Sequence, residues 1–348
     1  MQLLRARVAN LGPFANLTFG FSDSDDRPRP ITCVFGSAGV GKTSLVAGLA
    51  STRPGYAVAF ASSHLRGSNV PWLLTEWTTG DDETARPHPL CIATPGLLLE
   101  HESEERATVR RREQAAYERR AAERGFAFVA IPGCRWFSRS PLVLSNPDRG
   151  LMRHEIRTAT SFEDATRSDL ARETKQVLSY AAIGAALENR TRSTPLGRLF
   201  KAVETAVGEL VGLIGYRFVG ADPATLEPMF EDPSGGRLPF ADAPTAVRHL
   251  TAFAALPIRA MYAAYPDQDP LESQAVVVID DVDLHQDAAT KRAIACALRK
   301  ALPHVQWILT TCSSSVALGC NSEEIIALRR TESRGMVEVY TGSLAVVH

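Results

Sequence analysis

The sequence predicts an α/β protein with a mixed, largely parallel central sheet, and three features carry that prediction. An apolar strand, Ile31 to Phe35, runs through a glycine-rich loop straight into a helical stretch, Lys42 to Ala50. A strand, helix, strand series follows much later, Ala275 to Ile279, Ala288 to Ala301 and Gln306 to Thr310. Both series have the order in which helices carry the chain between parallel strands. Ahead of them, Leu3 to Val8 and Asn16 to Phe21 alternate apolar and polar residues with a period near two. That alternation predicts an antiparallel strand pair, joined through Leu11-Gly12-Pro13 and lying against the sheet.

The remaining elements follow in chain order. The first helix is expected to end at Arg53-Pro54-Gly55, and Tyr56 to Ala61 reads as a strand. His101 to Arg124 is nearly all Glu, Arg, Gln and Ala with no apolar face, so it reads as a solvated helix or an arm. Its seven arginines are matched by six glutamates, which favours a salt-bridged surface over a nucleic-acid contact. Phe126 to Ile131 is a buried strand stopped by Pro132-Gly133. Two long stretches with apolar residues at helical spacing, Phe162 to Leu187 and Leu196 to Tyr216, predict an inserted helical lobe. After Pro233-Ser234-Gly235-Gly236 comes a further helix, Ala243 to Ala264, and the chain ends in a β-leaning tail.

With 348 residues, 45% of them hydrophobic, the chain is long enough for a full core in one large domain or two intimate ones. Thirty-eight basic against thirty-nine acidic residues leave a net charge of -1, so any nucleic-acid contact needs a local patch. Arg106, Arg110, Arg111, Arg112, Arg119, Arg120 and Arg124 are the candidates, diluted by the neighbouring glutamates. The six cysteines lack metal-ligand spacing, and several sit in apolar stretches as small buried residues do; they suggest a reducing, cytoplasmic compartment. The arginines near the N-terminus argue against a signal peptide, and no run approaches the roughly 20 apolar residues of a membrane span, so no membrane association is expected.

The glycine-rich loop is Gly36-Ser37-Ala38-Gly39-Val40-Gly41-Lys42-Thr43, the pattern G-x-x-x-x-G-K-[ST], with Ser44 following it. Four constrained positions arise by chance in roughly one chain in a hundred of this length. Its placement after an apolar strand and at the start of a helix suits phosphate binding. There the glycines let backbone N–H groups curl around phosphates at a helix N-terminus. Lys42 is expected to reach the β- and γ-phosphates of ATP, and the Thr43 hydroxyl to ligate Mg²⁺. A carboxylate must help hold that ion. Ala275-Val276-Val277-Val278-Ile279 reads as a strand covered on both faces, and Asp280-Asp281 stand at its carboxyl end, where parallel sheets bind ligands. Asp280 is the metal-side candidate; Asp281 is the candidate that orients or deprotonates the attacking water.

These segments together resemble the ABC-type ATPases of the RecF and SMC class, in particular small bacterial ATP-binding proteins associated with DNA repair and phage defence. The resemblance runs in order along most of the chain. Leu3 to Phe14 looks like the opening strand and its Asn-containing turn, and the P-loop, or Walker A motif, follows. Val129 to Arg135 is similar to the strand and turn ahead of the family's helical lobe. Asp280-Asp281-Val282-Asp283-Leu284-His285 matches the Walker B extension D-E-x-D-x-H, and Trp307 to Ser313 matches a strand ending T-T-H-S. The spacing of 238 residues between Lys42 and Asp280 is too long for a compact transporter ATPase and too short for long SMC arms. No N-K-x-D or T-K-x-D segment suggests a GTPase.

The resemblance implies an ATPase domain built from 1-135 and 238-348, with 136-237 as the helical insertion lobe. It also implies ATP held between the two subunits of a homodimer, and a separate protein effector such as a nuclease. The sequence departs from the family at three places. Asp281 stands for the catalytic Glu and is one methylene shorter, and Cys312 stands for the switch His or is a small buried filler. Ala243-Pro244-Thr245-Ala246-Val247-Arg248 stands where the L-S-x-G signature falls, or is a plain helix start. These departures leave open a nucleotide-gated regulatory or scaffolding subunit with little or no hydrolysis; the other alternative, a nucleic-acid motor or clamp, would need the arginines between Arg106 and Arg124 to form a basic face.

Overall fold

The computed structural model describes residues 1–52, 71–78, 90–93, 103–122, 126–147, 167–188, 194–331 and 336–345. The strand expected over Tyr56 to Ala61, the helix end at Arg53-Pro54-Gly55 and the start of the helix expected from Phe162 lie outside them. In chain order, β1 (Leu3–Leu11) and β2 (Phe14–Gly20) make a hairpin, and β3 (Ile31–Gly36) leads into α1 (Lys42–Ser51). The strands β4 (Trp72–Trp77) and β5 (Leu90–Ala93) precede α2 (Glu104–Ala122). Strands β6 (Phe128–Ile131) and β7 (Cys134–Trp136) flank Pro132-Gly133, and β8 (Arg167–Asp169) opens α3 (Ala171–Leu187) and α4 (Pro195–Val211). A small sheet, β9 (Arg217–Ala221), β10 (Pro228–Glu231) and β11 (Arg237–Pro239), is followed by α5 (Thr245–Ala264) and β12 (Ala275–Ile279). The chain closes with α6 (Ala288–Ala301), β13 (Val305–Thr311), the single turn α7 (Ser314–Ala317), β14 (Ile325–Arg330) and β15 (Val337–Thr341).

The central sheet has the order β15-β14-β3-β13-β12-β6; every pair is parallel except β14 with the edge strand β15. This is the mixed, mostly parallel sheet that the sequence predicts. Alternation along β12 sorts its side chains into two cores. Ala275, Val277 and Ile279 join α3, α4, α5 and α6 on one face, whereas Val276 and Val278 face α1 and the N-terminal strands on the other. All five residues are buried, which is why this strand reads as a continuous apolar run.

The structure refines several expectations. The N-terminal pair is the start of a four-stranded antiparallel sheet, β2-β1-β4-β5. The sequence conceals β4 because one of its inward positions is Thr75, whose hydroxyl donates to the Ile92 carbonyl at 3.2 Å and accepts from the Trp77 indole at 2.8 Å. The helix expected to run on to Tyr216 stops at Val211, where a 3₁₀ turn and a left-handed Gly215 (φ 78°) redirect the chain into β9. The segment 136–237 therefore carries strands as well as helices, and its α3 and α4 share the core of the central sheet. Only Cys33 is buried; Cys134, Cys296 and Cys312 are exposed. Among the described residues, no helix is long and apolar enough to cross a membrane.

Candidate functional site

The glycine loop connects a fully paired strand to a helix, and local sterics set its course. β3 is hydrogen-bonded on both sides, to β13 and β14, so Gly36 emerges from the sheet in a fixed place. A Cβ there would lie 2.8 Å from the Leu328 carbonyl oxygen and 2.9 Å from the Val40 side chain. Gly41 is the N-cap of α1 with φ 96°, and a Cβ on it would meet Phe14 and Pro13 at 2.6 Å. Only glycine combines that backbone with that contact. No side chain caps α1, so its first-turn N–H groups are left for an anion. The Arg330 guanidinium holds the tip of the loop by donating to the Gly39 carbonyl at 2.8 Å. Ser37, Ala38 and Gly39 are exposed, and Val40 turns into the core.

Lys42 is almost fully buried, and its ammonium donates to the carbonyls of Gly36 and Ser37 at 2.9 and 3.0 Å. Thr43 donates its hydroxyl to Asp280 Oδ2 at 2.7 Å, joining residues 237 positions apart in the chain. Asp280 is 1% exposed; its other oxygen accepts from the Thr310 hydroxyl. That hydroxyl also accepts from the Asp281 N–H at 2.9 Å, so β13 holds both acids. Asp281 has a left-handed backbone, φ 45°. Burial, and then the neighbouring Asp280, push its carboxyl above the ordinary range, opposed by Lys42. A raised proton affinity suits a group that accepts a proton from water. Asp281 and Cys312 share a cleft of about 400 Å³ with Gly12, Pro13, Ala38, Gly39, Gly41, Lys42, Thr43 and Ser44. Cys312 is thus exposed on the cleft wall, which corrects its reading as a buried filler.

Two residues that sequence reasoning did not single out shape the acid pair. A Cβ on Gly133 would lie 2.8 Å from Asp280 Oδ2 and 3.0 Å from Asp281 Oδ2, so the turn after β6 presses against both carboxylates. Arg135, 7% exposed, donates to the carbonyls of Pro132 (2.8 Å), Asp280 (2.6 Å) and Asp281 (2.7 Å). Burial lowers its pKa to about 10, against the pull of the nearby acids, and it stays charged at neutral pH. Both lie in the segment Val129 to Arg135 that carries part of the family resemblance, but nothing in that segment's sequence ties either residue to the acids.

No protein-family model and no curated protein matches the chain. Solved structures do match over nearly its whole length. An SmcHead structure bound to the C-winged helix domain of ScpA is 12% identical, covering 99% of this chain and 98% of that chain, with a TM-score of 0.53. An Smc head domain with an extended coiled coil, bound to the C-terminal domain of ScpA derived from Pyrococcus furiosus, is 11% identical, covering 98% of this chain and 96% of that one, with a TM-score of 0.51. The fold is that of an SMC head.

Within this SMC-head fold, Asp283 turns inward, accepting from the Thr311 hydroxyl and lying 3.7 Å from the Lys291 ammonium. His285 packs its ring 4.9 Å from that of His249 on α5. Gln286 donates to the Ala246 carbonyl at 3.4 Å, so the loop after the acids touches the signature-like start of α5. None of Ala243 to Arg248 lines the cleft at Lys42. Pro244 is the N-cap of α5 and supplies no side-chain cap. Arg111, Arg112 and Arg119 on α2 are exposed.

Proposed function

We propose that this chain is an ABC-type ATP-binding protein that hydrolyses ATP slowly as a nucleotide-dependent homodimer. Its ATPase domain is formed by 1-135 and 238-348 around the segment 136-237. It acts in the cytoplasm with a protein effector, in DNA maintenance or phage defence. The observation that carries this reading is the 2.7 Å hydrogen bond between Thr43 and Asp280, which unites the phosphate loop and the acidic strand end. Hard oxygen donors in this arrangement fit Mg²⁺, which binds through few protein ligands together with phosphate oxygens and water. Thr43 and Asp280 would hold the ion, and its charge would offset that gathering on the phosphates. Lys42 would exchange its loop carbonyls for phosphate oxygens. The α1 N-terminus would bind the same anion, and Asp281 would hold a water by its carboxylate.

A second reading, a nucleotide-gated regulatory subunit with little turnover, is favoured by the exposed Cys312 on the cleft wall, because a cysteine S–H is a weak donor beside the imidazole it replaces. Calorimetry of a non-hydrolysable ATP analogue tests the binding, with Mg²⁺ and with a chelator, on the unmutated chain and Lys42→Ala. Loss of tight binding in the variant is expected, and unchanged affinity would refute the site. Phosphate release by the same preparations separates the two readings.

A further inference from the structure

We propose that Arg135 is a positioning residue for the acid pair, fixing Asp280 and Asp281 through their backbone and coupling them to helix α5. Its bearing on turnover rests on the function proposed above; its bearing on the conformation of the acidic loop does not. The guanidinium spans three carbonyl oxygens, those of Pro132, Asp280 and Asp281, with 2.6 to 2.8 Å bonds. Such a fork of fixed donors is available to arginine alone, since a lysine ammonium is a single point at the end of a flexible stem. A buried cation is costly unless its donors are used, and here two of its nitrogens are spent on main chain next to two carboxylates. This arrangement fixes where the acids point without neutralising them by direct contact.

Asp281 is the residue that needs such a restraint. It is a non-glycine in the left-handed region, φ 45°, a conformation that persists only when the surroundings over-determine it. Its N–H is held by Thr310 and its carbonyl by Arg135, so the peptide groups on both sides are clamped. The guanidinium, whose hydrogen bonds leave from its edge, lies over the Phe253 ring, 5.1 Å from its centroid. Phe253 belongs to α5, whose first turn touches Gln286 beyond the acids. A shift of α5 is thereby passed to the carbonyl of Asp281 through a rigid planar group.

The test uses the full chain with Arg135→Lys, which keeps charge and loses the fork, and Arg135→Met, which keeps the stem and loses both. Phe253→Leu is a milder third variant that removes only the ring beneath the guanidinium. Hydrogen exchange without nucleotide reads the amides of Asp281, Val282 and Leu284, which are all bonded in the clamped loop. At least a tenfold loss of protection there is expected in both Arg135 variants, with the α1 amides unchanged. In phosphate-release assays kcat falls at least tenfold while KM moves less than threefold. Unchanged exchange at 281 to 284, or an equal increase throughout the chain, overturns the proposal, as does an unchanged kcat in an active protein. If the unmutated chain neither binds nor hydrolyses ATP, the proposed function fails and the exchange result still decides the role of Arg135. Should both Arg135 variants fail to fold, Phe253→Leu decides by the same exchange criterion.

Discussion

Replacing Gly133 by alanine tests whether the two carboxylates act where the structure places them. The added Cβ falls 2.8 Å from Asp280 Oδ2 and 3.0 Å from Asp281 Oδ2, short of ordinary contact by about 0.6 and 0.4 Å. Asp280 Oδ2 is also the oxygen that accepts from Thr43, and its partner oxygen is held by Thr310, so this carboxylate has little freedom to turn away. The turn itself is restrained by Arg135 on the Pro132 carbonyl. The strain must therefore appear as a displacement of about half an ångström at one or both acids. A misplacement of 1 Å costs about a hundredfold in rate, so kcat is expected to fall roughly tenfold in Gly133→Ala. Overpacking should cost about 1–3 kcal/mol of stability. Binding of ATP in the presence of a chelator should change little, because the atoms nearest the new methyl belong to the two acids and not to the phosphate loop. The assay is steady-state phosphate release across a Mg²⁺ series. Gly208→Ala serves as the control, since a Cβ there meets nothing within 4 Å. A Gly133→Ala chain with unchanged kcat and unchanged Mg²⁺ dependence would refute the assignment of the acid pair.

Two further outcomes are expected. Asp281→Glu with Cys312→His should raise turnover with little change in ATP affinity, each group acting in the hydrolytic transition state, where one such contact is worth roughly 100- to 1000-fold; brisk turnover by the unmutated chain alone would show that no such deficit exists. His249 is buried with its Nδ1–H donating to the Thr245 carbonyl at 2.8 Å, and burial, then Arg135, lower its pKa from 6.5 to about 4. The folded chain keeps this ring neutral while the unfolded chain protonates it, so stability is complete above about pH 6.5 and is lost as pH falls towards 4. Between pH 7 and pH 5 the loss from this group is about 2 kcal/mol, and His249→Leu should remove that share from chemical-denaturation curves; an equal fall in the variant would exclude the role.

Some of this site was legible in the chain because its chemistry is local. The order strand, Gly36 to Thr43, helix is contiguous, and its requirement for glycine at Gly36 and Gly41 is met within a few residues. The run Ala275 to Ile279 announced a strand covered on both faces, and both faces are filled. Periodicity failed where a polar residue occupies a core position, as Thr75 does in β4, or where a glycine breaks a helical pattern, as at Gly212 and Gly215. The sequence placed Thr43 and Asp280 at one ion, and the structure joins them directly; tertiary structure alone decided that Cys312 opens onto the cleft and that His249 packs on His285. It alone decided, too, that Gly133 and Arg135 position the acids: a backbone carbonyl has no identity in the sequence, and the guanidinium that binds three of them can be recognised only when β6 is paired beside β12, so that Arg135, just past the turn after β6, reaches the end of β12.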